Sequence, residues 1–464
     1  MNFSNGNTNN NNNKTNSNYV RCVRQSGIRC RVCRPVIKKD DMMTFEDLIK
    51  AYTDCRRHKR SGREALAFEV GLEDNLMALW RELRAGTYRP GRSRCFIIGR
   101  PVRREVFAAE FRDRVVQHLL CNRIEPVLDR GMIHDSYSCR KGRGTLYGVR
   151  RIRRFIAQCS EGYTRDCYVL KCDLRGFFMS IDRGRLAERL ERTLEREYAG
   201  SDKAEVLALT RLIALYDPVP GARVAGPVGG WRLLPPDKSL FAVSGRPMPG
   251  GVRSPFPVPP GGKGLPIGNL TSQLFANFYL TPFDHYVKHT LGVRYYGRYA
   301  DDFVIVHPDR EYLRGLVPLL ERFLRDELDL TLHPRKRWLQ HYARGVSFLG
   351  VFIRRDALFT GRRTKEGLYR TVGWWNDRAQ ESALERCDLE AFRSSVNSYW
   401  GLMRYHNSYR LRKRSAGRFC NELTAVTGQL GYRKVTLPDP RRGAKRKRRK
   451  ETSIIAIENE CRQI

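Results

Sequence analysis

Val293-Arg294-Tyr295-Tyr296-Gly297-Arg298-Tyr299-Ala300-Asp301-Asp302-Phe303-Val304-Ile305-Val306-His307 reads as two strand-like runs joined at a pair of adjacent aspartates. Two carboxylates at the tip of an apolar hairpin repel each other and interrupt a sheet that favours apolar side chains. Chains tolerate that cost mainly where a divalent cation lies between the acids. The plain alternative is an ordinary polar turn, because aspartate is a common turn residue.

A third acid makes the cation the stronger explanation. Tyr168 to Cys172 is a short run suited to a buried strand, and it leads into Asp173. Nucleotidyl transfer uses two divalent ions about 3.5–4 Å apart, and three carboxylates from neighbouring strands are the simplest protein holder for them. Mg²⁺, or Mn²⁺ in its place, takes hard oxygen ligands and keeps water and substrate phosphates as the remainder. The expected metal set is Asp173, Asp301 and Asp302, with the main-chain carbonyl of Leu174 as a further ligand.

Charge points to the same chemistry. The 464 residues hold 86 Lys plus Arg against 49 Asp plus Glu, a net +37. Removing the basic run Arg441 to Lys450 leaves most of that excess, so the basicity belongs to the folded body. A field of this size fits a polyanionic partner, above all nucleic acid phosphates. Thirteen scattered cysteines, no apolar leader and no long apolar run suggest a reducing, cytoplasmic setting without membrane contact. Cys30, Cys33, Cys55 and His58 have zinc-like spacing, but Cys55 falls within a helical pattern and free thiols are the simpler expectation.

Along the chain, residues 1–40 are expected to be a disordered Asn-rich and basic segment. Residues 41–90 read as a helical extension in which 43–86 form two helices, with Thr44 as an N-cap and Gly86 as a stop. Strand-like runs follow at Cys95–Ile98 and Glu105–Phe107. A helix over 111–128 should stop or kink near Pro126. Residues 217–262 hold 11 of the 22 prolines and should form a long irregular excursion. Val346 to Ile353 reads as one strand. Helices resume near 375, and a basic disordered tail is expected over 435–464.

Around Asp173 the text is Lys171-Cys-Asp-Leu-Arg-Gly-Phe-Phe-Met-Ser-Ile-Asp182, which resembles the first palm motif of reverse transcriptases related to group II introns and retrons. Tyr299-Ala-Asp-Asp302 looks like the catalytic hairpin of the same enzymes. The resemblance implies an α+β right-hand polymerase: fingers and palm over 91–365, the palm an antiparallel sheet backed by helices, and an α-helical thumb over 366–434. It also implies roles. Phe178 would exclude a 2′-hydroxyl; Arg104, with Arg100 and Arg103, would clamp the triphosphate; Lys336 would protonate departing pyrophosphate, with simple phosphate contact as its alternative. Phe348, Leu349 and Gly350 match the primer-gripping strand. Arg140, Lys141, Arg143 and Arg150, among glycines and along a basic helix, are candidate template contacts, a solvated basic face being the alternative.

One segment narrows the resemblance. Gly264-Leu-Pro-Ile-Gly-Asn-Leu-Thr-Ser-Gln273-Leu-Phe-Ala-Asn277 is similar to reverse transcriptases of diversity-generating retroelements. Ile267, with Gly268 and Gln273, stands where a nucleotide-supporting glutamine motif is usual in the wider group. Replacing an amide by an alkyl group removes polar checks on the nascent pair. Membership would imply error-prone copying of a template-repeat RNA into cDNA, chiefly at template adenines, in a bacterium or phage. It would also imply primer and deoxynucleotide triphosphates as ligands, and a small basic accessory protein, often pentameric, as partner. Arg404 and Tyr405 fall in text that looks like this family's thumb. The Asn-rich start, the basic tail and the long proline-rich segment depart from its pattern. Residues 435–464 are too few for a ribonuclease H or endonuclease domain. Retron, defence-associated and group II intron reverse transcriptases are the nearest alternatives, and a non-catalytic RNA-binding scaffold is an alternative of another class.

Overall fold

The computed structural model describes residues 43–57, 62–99, 102–227, 229–232, 234–249 and 262–437. Helix Phe45–Arg56 starts as its sequence predicts: Thr44 accepts from the Asp47 amide at 3.2 Å, and Asp47 accepts from the Thr44 amide at 3.1 Å. Residues 43–86 hold three helices and not two, because Gly71 (φ −123°, ψ 51°) separates Arg63–Val70 from Leu72–Arg84. Helix Phe111–Gly131 runs through Pro126 and ends five residues beyond it. It packs against both Phe45–Arg56 and Leu270–Tyr279.

Strands Arg94–Ile98 and Arg104–Ala108 form an antiparallel hairpin, and Arg223–Val224 adds to the first of them in parallel. The proline-rich segment is not the bare excursion its composition suggests. It contributes that strand, the short helices Gly229–Arg232 and Leu240–Val243, and a 3-10 turn at Pro236–Lys238. Trp231, Leu234, Leu240, Phe241 and Met248 are buried together with Cys95, Phe107 and Met179. These few large apolar groups supply enough buried surface to fold a glycine- and proline-rich stretch onto the hairpin.

The central sheet has four antiparallel strands in the spatial order Tyr295–Tyr299, Asp302–His307, Tyr168–Asp173 and Trp338–His341. Alternate residues serve opposite faces. Leu170, Cys172, Phe303 and Ile305 join a cluster with Leu313, Leu316, Leu320 and Leu324 of helix Arg310–Leu328. Val169, Val304 and Val306 join another with Val149, Ile152 and Phe155 of helix Thr145–Cys159. Both faces are covered, which is why the strands carry near-continuous apolar runs.

Val346 to Ile353 is a hairpin and not one strand: Val346–Phe348 pairs with Val351–Ile353, and Leu349 (φ +50°) and Gly350 (φ +79°) form the turn. Beyond it, helices Arg362–Glu381, Arg386–Met403, Tyr409–Ala416 and Asn421–Val426 share a core around Trp375, Phe392 and Trp400. The hairpin Gly428–Leu430/Lys434–Thr436 closes this core with buried Val435, a residue expected to open the tail. The fold class is α+β with antiparallel sheets, as expected, save the short parallel pairing of Arg94–Cys95 with Arg223–Val224. Among the described residues no helix is long and apolar enough to cross a membrane.

Candidate active site

Asp173 and Asp302 are direct partners across the two central strands. The next residue on each side is tied too, since the Leu174 amide donates to the Asp301 carbonyl at 3.2 Å. Sheet register therefore brings a distant carboxylate to the hairpin pair. Leu174 itself is buried, and the His333 amide holds the Asp173 carbonyl at 2.8 Å.

The acids are crowded. Burial, then the Asp302 and Asp173 carboxylates, push the Asp301 carboxyl up to about 6. Burial also raises Asp302, with Lys171 pulling the other way. Two ammonium groups partly offset the charge: Lys336 Nζ lies 2.9 and 3.0 Å from the two Asp173 oxygens, and Lys171 Nζ lies 3.5 Å from Asp302. Lys171 also stands 5.5 Å from the Trp338 ring and 5.9 Å from that of Phe348. Among the described residues no three His, Cys, Asp or Glu side chains form a ready metal cage. The donor set still suits hard divalent ions. It offers three carboxylates against the two ammonium groups lying on Asp173 and Asp302, so negative charge remains in excess.

The turn bearing Asp301 is backed from beneath. Ala300 has φ +52°, a conformation that a residue with a Cβ seldom adopts. Its carbonyl accepts from Arg298 Nη1 at 3.1 Å. Arg298 is wholly buried, and its guanidinium also reaches Asp284 and Asn277 Oδ1. Sequence patterns single out neither Arg298, Asp284 nor Lys171; charged residues inside apolar runs were the available signal.

The other expected residues divide into groups. Asp173, Asp302, Lys336, Leu349 and Gly350 line one cleft of about 620 Å³ with Arg344, while Phe348 is buried behind it. Phe178 follows on the short helix Phe177–Ser180, half-buried and edge-on to Phe177 at 5.7 Å. The Ile267 carbonyl accepts from the Phe107 amide at 2.8 Å, and its side chain packs on the cluster of the proline-rich segment. Gly268 (φ +120°) lies so close to the Phe107 carbonyl that a Cβ would stand 2.9 Å from it. Arg104 is exposed on its strand, Arg103 is half-buried, and Arg100 lies outside the described residues. Gln273 is exposed and accepts from Cys139 Sγ at 3.5 Å.

Arg140 is a correction. Its guanidinium is only 5% exposed and is spent on Asp129 and on the Ile133 and Ser136 carbonyls, so it braces a loop and presents no donor to a template. Lys141 is exposed beside Glu125, Arg143 lies over Tyr147, and Arg150 is exposed. Arg404 and Tyr405 line a separate cavity among the C-terminal helices. Cys30, Cys33 and His58 lie outside the described residues, and Cys55 is buried.

No family model matches the chain. Protein YkfC of Escherichia coli (strain K12) is 24% identical over 323 residues, spanning 61% of this chain and 72% of that protein. Among solved structures, telomerase of Candida albicans, in complex with a TWJ fragment of telomeric RNA, aligns at TM-score 0.40 and 11% identity over 74% of this chain. Apo telomerase of Candida tropicalis aligns at TM-score 0.42 and 11% identity, also over 74%. The chain spans 62% and 61% of those two telomerases. Likeness this distant adds no chemistry to the geometry above.

Proposed function

We propose that the chain is an RNA-directed DNA polymerase acting by two-metal nucleotidyl transfer. The observation that carries this is the register that sets Asp173 opposite Asp302, beside an Asp301 whose carboxyl is pushed up by burial and by its two neighbours. Asp173, Asp301 and Asp302, with the Leu174 carbonyl, would hold two Mg²⁺ ions (or Mn²⁺). Those ions would activate a primer 3′-hydroxyl and neutralise the triphosphate.

The chain's own groups supply the rest. Lys336, within hydrogen-bond reach of Asp173, would give a proton to the departing pyrophosphate or simply contact its phosphates. Arg104 is exposed on the strand whose Phe107 amide is bonded to the Ile267 carbonyl, so a triphosphate clamp and a nucleotide floor would move together. Phe178, wedged against Phe177, is a rigid ring suited to refusing a 2′-hydroxyl. The finer assignment is to a diversity-generating retroelement. It would copy a template-repeat RNA into adenine-mutagenic cDNA, in the cytoplasm of a bacterium or carried by a phage, with a small basic accessory protein as partner. Ile267 and its following text support that assignment.

Primer extension on an RNA template with Mg²⁺ tests the enzymatic claim. The parent incorporates deoxynucleotides and Asp301→Ala does not; equal incorporation by both would remove it.

A further inference from the structure

Lys171 is a charge placed where the sheet otherwise holds valines. Strand Tyr168–Asp173 sets Val169, Lys171 and Asp173 on one face. Across the sheet Lys171 pairs with Val304 on one side and with Trp338 on the other. The row behind it pairs Val169 with Val306, and the row ahead pairs Asp173 with Asp302. Val169, Val304 and Val306 are buried in the cluster that covers this face. A valine or methionine at position 171 would extend that cluster without taking a charge out of water.

The surroundings of the ammonium say what the charge is for. Its Nζ lies 3.5 Å from Asp302 Oδ1, diagonally ahead across the strands, and the lysine side chain is only 18% exposed. The Trp338 ring, 5.5 Å away, and the Phe348 ring, 5.9 Å away, flank it. Those rings come from two elements, the edge strand Trp338–His341 and the hairpin strand Val346–Phe348. They give the ammonium a favourable seat that does not depend on Asp302. Lys336 meanwhile bonds both oxygens of Asp173. The two lysines are thus divided, one to each acid of the register pair. A lysine serving the phosphates of a strand stands clear of carboxylates; this one is held on one.

We infer that Lys171 is a positioning residue, a resident counter-ion that holds Asp302 while no divalent ion is bound and releases it to one. The lysine thereby sets the divalent concentration at which the site fills. Its pairing with Asp302 follows from the geometry; the divalent ion rests on the two-metal proposal. A cation already on a carboxylate steadies crowded acids, and it opposes a second cation at the same oxygens.

Mn²⁺ binding to the full chain, without nucleic acid or nucleotides and followed by the electron paramagnetic resonance of the free ion, measures that concentration. Lys171→Met and Lys171→Gln, which remove the charge, should each tighten Mn²⁺ binding roughly fivefold or more. Lys171→Arg, which keeps the charge, should stay near the parent. A lysine that only filled space would leave the affinity where it was. Melting temperatures in EDTA test the pairing with no metal present. Lys171→Met should lower the melting temperature of the parent. In an Asp302→Asn background the same change should be neutral or stabilising, because no carboxylate then answers the charge. Unchanged or weaker Mn²⁺ binding in both neutral variants would overturn the inference alone, as would melting losses that simply add across the two positions. A parent that takes up no Mn²⁺ would sink the two-metal reading and the control of filling with it, while non-additive melting would still establish the Lys171–Asp302 pair.

Discussion

Arg298 and Asp284 form an ion pair with no solvent exposure on either side chain, held by contacts of 2.7 and 2.6 Å beneath the Ala300–Asp301 turn. A buried pair adds little net stability, yet breaking it leaves a stranded charge and costs about 3–5 kcal/mol. What the pair supplies here is placement, since the same guanidinium holds the Ala300 carbonyl.

Arg298→Met should therefore lower the melting temperature sharply, and Arg298→Met with Asp284→Leu should recover most of the loss. Primer extension should stay depressed in the double variant, because the turn has lost its anchor. A double variant that extends as the parent does would show that the pair only fills space.

Asp301→Asn should stabilise the chelated protein at pH 8. The Asp301 carboxyl sits at about 6, above its ordinary 3.8, so its ionised form is the disfavoured one in the fold. The cost is full above about pH 6 and disappears below about pH 4, and neutralising it should gain on the order of 1–3 kcal/mol. Thermal unfolding in EDTA should show a gain that shrinks from pH 8 to pH 5. A gain independent of pH would assign it to something other than this charge.

Ile267→Gln should lower misincorporation opposite template adenine by roughly 2–10-fold, the weight of one net hydrogen bond. Because Ile267 packs on the proline-rich segment, about 1 kcal/mol of stability should be lost as well. Sequencing of the cDNA reads the first effect, and an unchanged error spectrum would detach Ile267 from fidelity.

Glu105→Leu should loosen residues 217–249. The buried Glu105 carboxylate accepts from Trp231 Nε1 at 3.1 Å, Ser239 Oγ at 2.9 Å and the Leu240 amide at 2.6 Å. Stranding those donors should cost on the order of 3 kcal/mol or more, and Glu105→Gln, which keeps an acceptor, should cost less. Limited proteolysis within the segment reports it; resistance equal to the parent would contradict the arrangement.

The central strands were legible because near-continuous apolar runs mark strands buried on both faces, and Asp173 and Asp301–Asp302 were legible as acids where such runs end. Register did the rest. Other features depend on partners that no local pattern specifies. Arg140 reads as a template contact beside its glycines, yet Asp129, eleven positions earlier, consumes it. Residues 217–249 look irregular because their few large apolar groups find one another only against Cys95, Phe107 and Met179. Leu349 and Gly350 lack the usual Asn-Gly signature of a tight turn, so one strand was expected where two are paired.

The attachment of Glu105 to Trp231, Ser239 and Leu240 has a mechanical corollary. The Arg94–Ala108 hairpin cannot swing as a free flap, because its second strand, at the edge of the sheet, is bolted to a folded rider. A swing of either part would have to carry the other along.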